Sequence, residues 1–116
     1  MAAVNLKTVI ERLGLEVLTG ADHLGREVTG GYVSDLLSDV MANAVAGQLW
    51  LTIQTHQNVV AVASLANLAG VVITSGKKPD AETLQRAEGE GVVIMRSPYP
   101  TFRVAGELWG LLGGAS

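Results

Sequence analysis

A three-layer α/β fold, with a mainly parallel sheet between helices, is what the sequence predicts. Three observations carry that expectation. Short β-prone runs at residues 28–33, 49–54, 71–75 and 92–95 alternate with segments of helical periodicity, an order that gives right-handed crossovers and parallel strands. The runs VVITS and VVIM are continuously apolar and mostly β-branched, as in strands covered on both faces. The chain has 116 residues, 48% of them apolar and 16% charged, which suits one domain over residues 1–116 and leaves no room for a second core.

Taken in order, Asn5 precedes Leu6, Val9, Ile10 and Leu13 at helical spacing and Gly14 follows, so a capped helix is expected over residues 6–13. A brief strand at 15–18 leads through the turn-rich Thr19-Gly20-Ala21-Asp22 to the strand at 28–33. The adjacent Gly30 and Gly31 there imply a bulge or a close backbone approach. Ser34 is expected to cap a helix with Leu36, Leu37, Val40, Met41 and Ala44 on one stripe, broken by Gly47. After the strand at 49–54, a helix over 59–69 is apolar nearly all round, which implies cover beyond its own sheet, from a partner chain. Asp80 begins an amphipathic helix with Ala81, Leu84 and Ala87 inward, stopped at Gly89 and Gly91. The last helix, 101–112, is expected to turn Phe102, Ala105, Leu108, Trp109 and Leu112 inward, and residues 113–116 to fray.

Composition excludes several functions. A net charge of -3, with only Lys77 and Lys78 adjacent among the basic residues, gives no footprint for nucleic acid. No cysteine is present, so disulfides and thiolate chemistry are out. Glu11 and Arg12 interrupt the apolar stretch a signal peptide needs, no run reads as a membrane span, and a cytoplasmic protein is expected. The apolar richness predicts an oligomer, and a homodimer using the small-residue helices and the Trp109 helix as its interface is expected.

In an open parallel sheet, ligands sit beyond the carboxyl ends of the strands. Those ends carry Ser34 and Asp35, then Thr55, His56 and Gln57, then Ser75, Gly76 and Lys77, then Ser97, Tyr99 and Thr101. Hydroxyls beside helix starts can hold a small anion, with Lys77 adding charge, and the same residue types are ordinary helix caps. Catalytic patterns are weak beside this. Gly76-Lys77 lacks the spacing of a phosphate-binding loop, and Lys78 stands where a magnesium-binding Ser or Thr would be. His23 and His56 have no second ligand at metal spacing, so no metal and no cofactor are expected. Asp35 and Asp39 share a helix face, which a first turn facing the helix dipole explains. A triad of Ser34, His56 and Asp35 has no nucleophile-elbow sequence behind it.

The segments LGLEVLTGADHLGREVTGGYVSDLLSDVM and VVITSGKKPDAETLQRAEGEGVVIMRSPYPTFRVAGELW resemble the DRTGG domain family over residues 6–109. The element order is similar to that of the amino-terminal domain of bacterial HPr kinase/phosphorylase. Arg26, Thr29, Gly30 and Gly31 look related to the naming signature, with Glu27 and Val28 interposed. The resemblance implies an accessory regulatory domain, associated with dimerisation and with signalling or metabolic enzymes, and without catalysis of its own. The function expected is therefore a non-catalytic interaction module that senses a small anionic or nucleotide ligand at the strand ends. The competing expectation is a small phosphotransfer or hydrolytic enzyme using Asp35, Asp39 and His56.

Overall fold

A computed structural model describes residues 4–114 of the chain. Its elements are β1 (Val4–Asn5), α1 (Leu6–Leu13), β2 (Glu16–Val17), a 3-10 turn at Ala21–His23, β3 (Glu27–Val28), β4 (Gly30–Val33), α2 (Leu37–Asn43), β5 (Gln48–Thr52), α3 (Asn58–Leu65), β6 (Gly70–Ile73), α4 (Ala81–Glu90), β7 (Ile94–Arg96) and α5 (Thr101–Leu111). The main sheet has the order β2-β7-β6-β5-β4, and β1 with β3 makes a separate two-stranded ribbon. Within the main sheet β4, β5, β6 and β7 run parallel and β2 is antiparallel to its neighbour β7, while the β1–β3 ribbon is antiparallel.

Period-two alternation along the strands divides the core into two halves. Leu49, Leu51, Val72 and Met95 face one side, where they meet Leu6, Val9 and Leu13 of α1 with Val104 and Leu108 of α5. Trp50, Val71, Ile73 and Ile94 face the other, against Val40 of α2, Val59, Val60, Val62 and Ala63 of α3, and Ala87 of α4. The three-layer expectation holds. The fully buried Trp50 satisfies its indole N–H by donating to the Ser34 carbonyl at 2.8 Å.

Caps and stops follow local chemistry. The Asn5 side chain accepts from Lys7 N at 2.9 Å to start α1, and Gly14 ends it at φ 65. Gly91 ends α4 in the same left-handed form, whereas Gly89 lies within the helix. The close approach expected of the glycine pair is made by Gly31, where a Cβ would lie 2.9 Å from Leu108 Cδ2.

Four sequence expectations are corrected. Ser34 does not cap α2: its hydroxyl accepts from Leu36 N at 3.2 Å in a turn before the helix, which starts only at Leu37, and Met41 is exposed. The helix expected over 59–69 ends at Leu65. Val59, Val60, Val62 and Ala63 are covered by this chain, because α3 sits between α2 and α4 on one face of the sheet, and Leu65 stays 73% exposed. In α5 the buried residues are Val104, Leu108 and Leu112, while Phe102 is 91% and Trp109 56% exposed. The helix carries two overlapping apolar stripes, and the sheet takes the one beginning two residues further on, at Val104. At the end of the chain, Gly113 N donates to Gly110 O and Gly114 N to Trp109 O, closing a bonded turn where fraying was expected. Residues 115 and 116 of that tail lie outside the described residues.

Candidate functional site

Because β4 to β7 are parallel, their carboxyl ends reach one rim, and the residues expected there are gathered along it. The rim divides into two halves with different bonding. On the β4–β5 half, the Asp35 carboxylate accepts from Thr52 Oγ1 at 2.9 Å and from Ile53 N at 3.0 Å, and its carbonyl accepts from Gln54 Nε2 at 2.7 Å. His56 is exposed, and its Nδ1 accepts from Asn58 N at 3.1 Å at the start of α3. The Thr55 carbonyl accepts from Thr83 Oγ1 at 2.7 Å, tying this loop to α4. These groups serve as caps and ties.

The β6–β7 half is where the chain diverges. The loop after β6 leads to α4 on one face of the sheet, whereas the loop after β7 leads to α5 on the other. Neighbouring loops leaving toward opposite faces are the arrangement that opens a crevice in parallel sheets. The two loops are also stitched together. Ser75 N donates to Tyr99 O at 2.8 Å and Gly76 N to Ser97 O at 3.0 Å. Ser75 holds φ 59 and Gly76 φ 68, and for a serine that left-handed backbone is strained. The Ser97 hydroxyl accepts from Tyr99 N at 3.2 Å, and the Thr74 and Thr101 hydroxyls bond each other.

Four residues of this rim escaped the sequence reading. Arg96 donates from Nε to the Lys77 carbonyl at 2.9 Å and from Nη2 to the Gly76 carbonyl at 2.7 Å, fixing the loop from beneath. Arg103 lies over the Tyr99 ring at 3.6 Å from its centroid. Thr52 and Thr74 are buried strand-end hydroxyls. A signal was present for two of them: Thr74 follows β6 and Arg96 ends β7, directly before Ser75 and Ser97. The exposed Lys77 and Lys78 give this half positive charge, since Arg96 pairs with Glu16 at 3.4 Å and Arg103 with Glu107 at 3.5 Å, while Asp35 lies on the other half.

Asp39, on α2, accepts from the Tyr32 hydroxyl at 2.9 Å and from Asn43 Nδ2 at 2.9 Å. The nearby Ser34 hydroxyl, with the Asn43 and Tyr32 bonds, holds its carboxyl below the ordinary range, and partial burial beside Asp39 raises the Tyr32 phenol. Among the described residues no hydrogen bond joins any two of Asp35, Asp39 and His56, so the competing catalytic set has no bonded assembly. No group of three His, Asp or Glu able to hold a metal forms among the described residues. None of their helices is long and apolar enough to cross a membrane.

The signature-like residues lie elsewhere and act in packing. Arg26 Nη2 donates to the Gly91 carbonyl at 2.6 Å, and Thr29 N donates to Gly47 O at 3.0 Å. Gly31 admits Leu108. A cavity of about 330 Å³ opens beside Arg26, Ser64, Asn67 and Gly91, at the amino ends of the strands, and no residue of the rim set lines it.

Fold and rim together define a small α/β module with a polar strand-end surface. The chain belongs to the DRTGG domain family, whose sequence pattern matches residues 8–109. Its fold is similar to that of the CBS and DRTGG domains of the regulatory region of Clostridium perfringens pyrophosphatase, solved in complex with the activator diadenosine tetraphosphate. The TM-score is 0.73 at 11% identity, covering 96% of this chain. The chain spans 47% of the length of that structure, and at this identity the likeness is one of fold. No curated protein matches the chain in sequence.

Proposed function

We propose that the chain is a non-catalytic regulatory module, acting as a homodimer, that senses a small anionic or nucleotide ligand at the β6–β7 half of the rim. The observation that carries this reading is the divergence of the two neighbouring loops toward opposite faces, with Ser75 strained at the point of divergence and basic side chains around it. The exposed Ser75 and Tyr99 hydroxyls would contact the ligand, Gly76 and Ser97 would hold the two loops in place through their bonds to each other and to Tyr99 N, Lys77 would add charge, and Asp35 would keep an anion off the other half. Ser34, Thr55, His56 and Thr101 border the site. Family membership and the fold of a pyrophosphatase regulatory region support a regulatory role. The activator named for that region supports placing nucleotides first among the compounds to test, with an enzyme as the partner that reads the signal.

A thermal-shift screen of nucleotides, phosphosugars and acyl phosphates tests the reading. A ligand at one hundred times its Kd stabilises the folded state by about 2.7 kcal/mol, a rise of roughly 10 °C for a chain of this size. Ser75→Ala and Lys77→Ala should weaken the active compound, and Ser34→Ala should weaken it less. Unchanged affinity in all three removes the rim from consideration.

A further inference from the structure

The exposed face of α5 carries features that match one another under a two-fold axis. At 3.6 residues per turn, Val104, Leu108 and Leu112 point into the core, so the opposite side presents three parallel strips. One flank holds Phe102, 91% exposed, and Trp109, 56% exposed. The middle holds Gly106 and Gly110, one turn apart, and a Cβ built on either meets nothing within 4 Å. The other flank holds Arg103 and Glu107, both at the surface and 3.5 Å apart within the helix.

We infer that α5 is the homodimer contact, packed antiparallel against α5 of a second copy and crossing at Gly106. This rests on the homodimer reading above and gives it a surface. When two antiparallel helices are related by a two-fold lying between them, like flanks meet and sequence order is reversed. Phe102 then faces the partner's Trp109, and Arg103 faces the partner's Glu107. The midpoints of both pairs fall within one residue of Gly106, so a single axis serves the aromatic pair, the charge pair and the glycine crossing together. A partner with another sequence would need to reproduce all three spacings; a second copy has them already.

The groove beside Trp109 fits this arrangement. It has a volume of about 190 Å³ and is walled by Gly31, Val33, Leu51, Ala105 and Leu112. An apolar cavity of about 150 Å³ holds a benzene molecule, so the partner's Phe102 ring has room here. Phe102, Trp109 and the 54% exposed Val33 leave bare on the order of 400 Å² of apolar surface, at the level of the largest patches monomers carry. The glycines let the backbones approach, and charge complementarity sets the antiparallel register.

Sedimentation equilibrium of the full chain, with circular dichroism as the control for folding, tests this. Wild type should be dimeric at micromolar concentration, and Phe102→Ala should weaken the dimer by about thirtyfold. Arg103→Glu and Glu107→Arg should each weaken it, and the two together should restore it. Because the chain has no cysteine, Gly106→Cys provides a single thiol. Under oxidation it should give a covalent dimer, since the crossing brings the two Cα atoms within about 7 Å of each other, while Ser64→Cys on the opposite face should not. A wild-type dimer that ignores every α5 substitution and leaves Gly106→Cys uncrosslinked overturns this contact and leaves the homodimer reading in place. A monomeric wild type overturns both.

Discussion

At the level of single residues, the rim depends on a few polar ties. Arg96 is the most consequential, because its guanidinium binds the Gly76 and Lys77 carbonyls together. Arg96→Ala should cost about 1 kcal/mol in urea unfolding, the usual net value of hydrogen bonds to partly exposed carbonyls, and should blunt ligand affinity through a loosened loop. Gly20 is held at φ 76, and a Cβ there would lie 2.8 Å from Val93 Cγ2 and 3.0 Å from Val93 Cα. Gly20→Ala is therefore expected to cost about 1–3 kcal/mol by the same measurement. Asp39 supplies a pH dependence. Its carboxyl is held below the ordinary range, so its contribution is present above the unfolded carboxyl pKa and is lost as pH falls through the depressed native value. Wild type should thus lose more stability on acidification from neutral pH than Asp39→Asn, and parallel acid-unfolding curves would refute the assignment.

Among the elements, regular patterning was easy to read and competing patterns were not. β5, β6 and β7 follow from apolar runs that admit no helical alternative of sufficient length, and α1 from an Asn cap, a clean stripe and a glycine stop. α5 was misread because Phe102 and Trp109 share helical spacing with Leu108 and Leu112, and only the position of the sheet decides which stripe is buried. α3 was misread because an all-apolar helix implies cover without saying whose, and here α2 and α4 supply it for the buried face while leaving Leu65 exposed. At the rim, the sequence located the strand-end hydroxyls; it could not show that Arg96 and Arg103 come from neighbouring elements to hold and flank their loops. The α5 correction is itself testable. Val104→Ala should destabilise the fold by about 1–3 kcal/mol, and Phe102→Ser should change the stability of the isolated monomer by less than about 0.5 kcal/mol. Equal losses in chemical denaturation would mean the expected stripe was right.

For the whole molecule, direction is what unites fold and proposed role. Four strands pointing one way put their polar ends on one rim, three crossover helices cover a single face, and α5 alone leaves the rim for the other. The two loops at that divide hold the strained Ser75, the exposed Lys77 and the Ser97 hydroxyl, while the largest cavity described lies at the opposite ends of the strands. Amide chemical-shift mapping on the isotopically labelled full chain, titrated with the compound that most raises its melting temperature, separates these places directly. Saturable shifts concentrated at Ser75, Gly76, Lys77, Ser97 and Tyr99 are expected. Shifts centred on Arg26, Ser64, Asn67 and Gly91 instead would contradict the rim as the site.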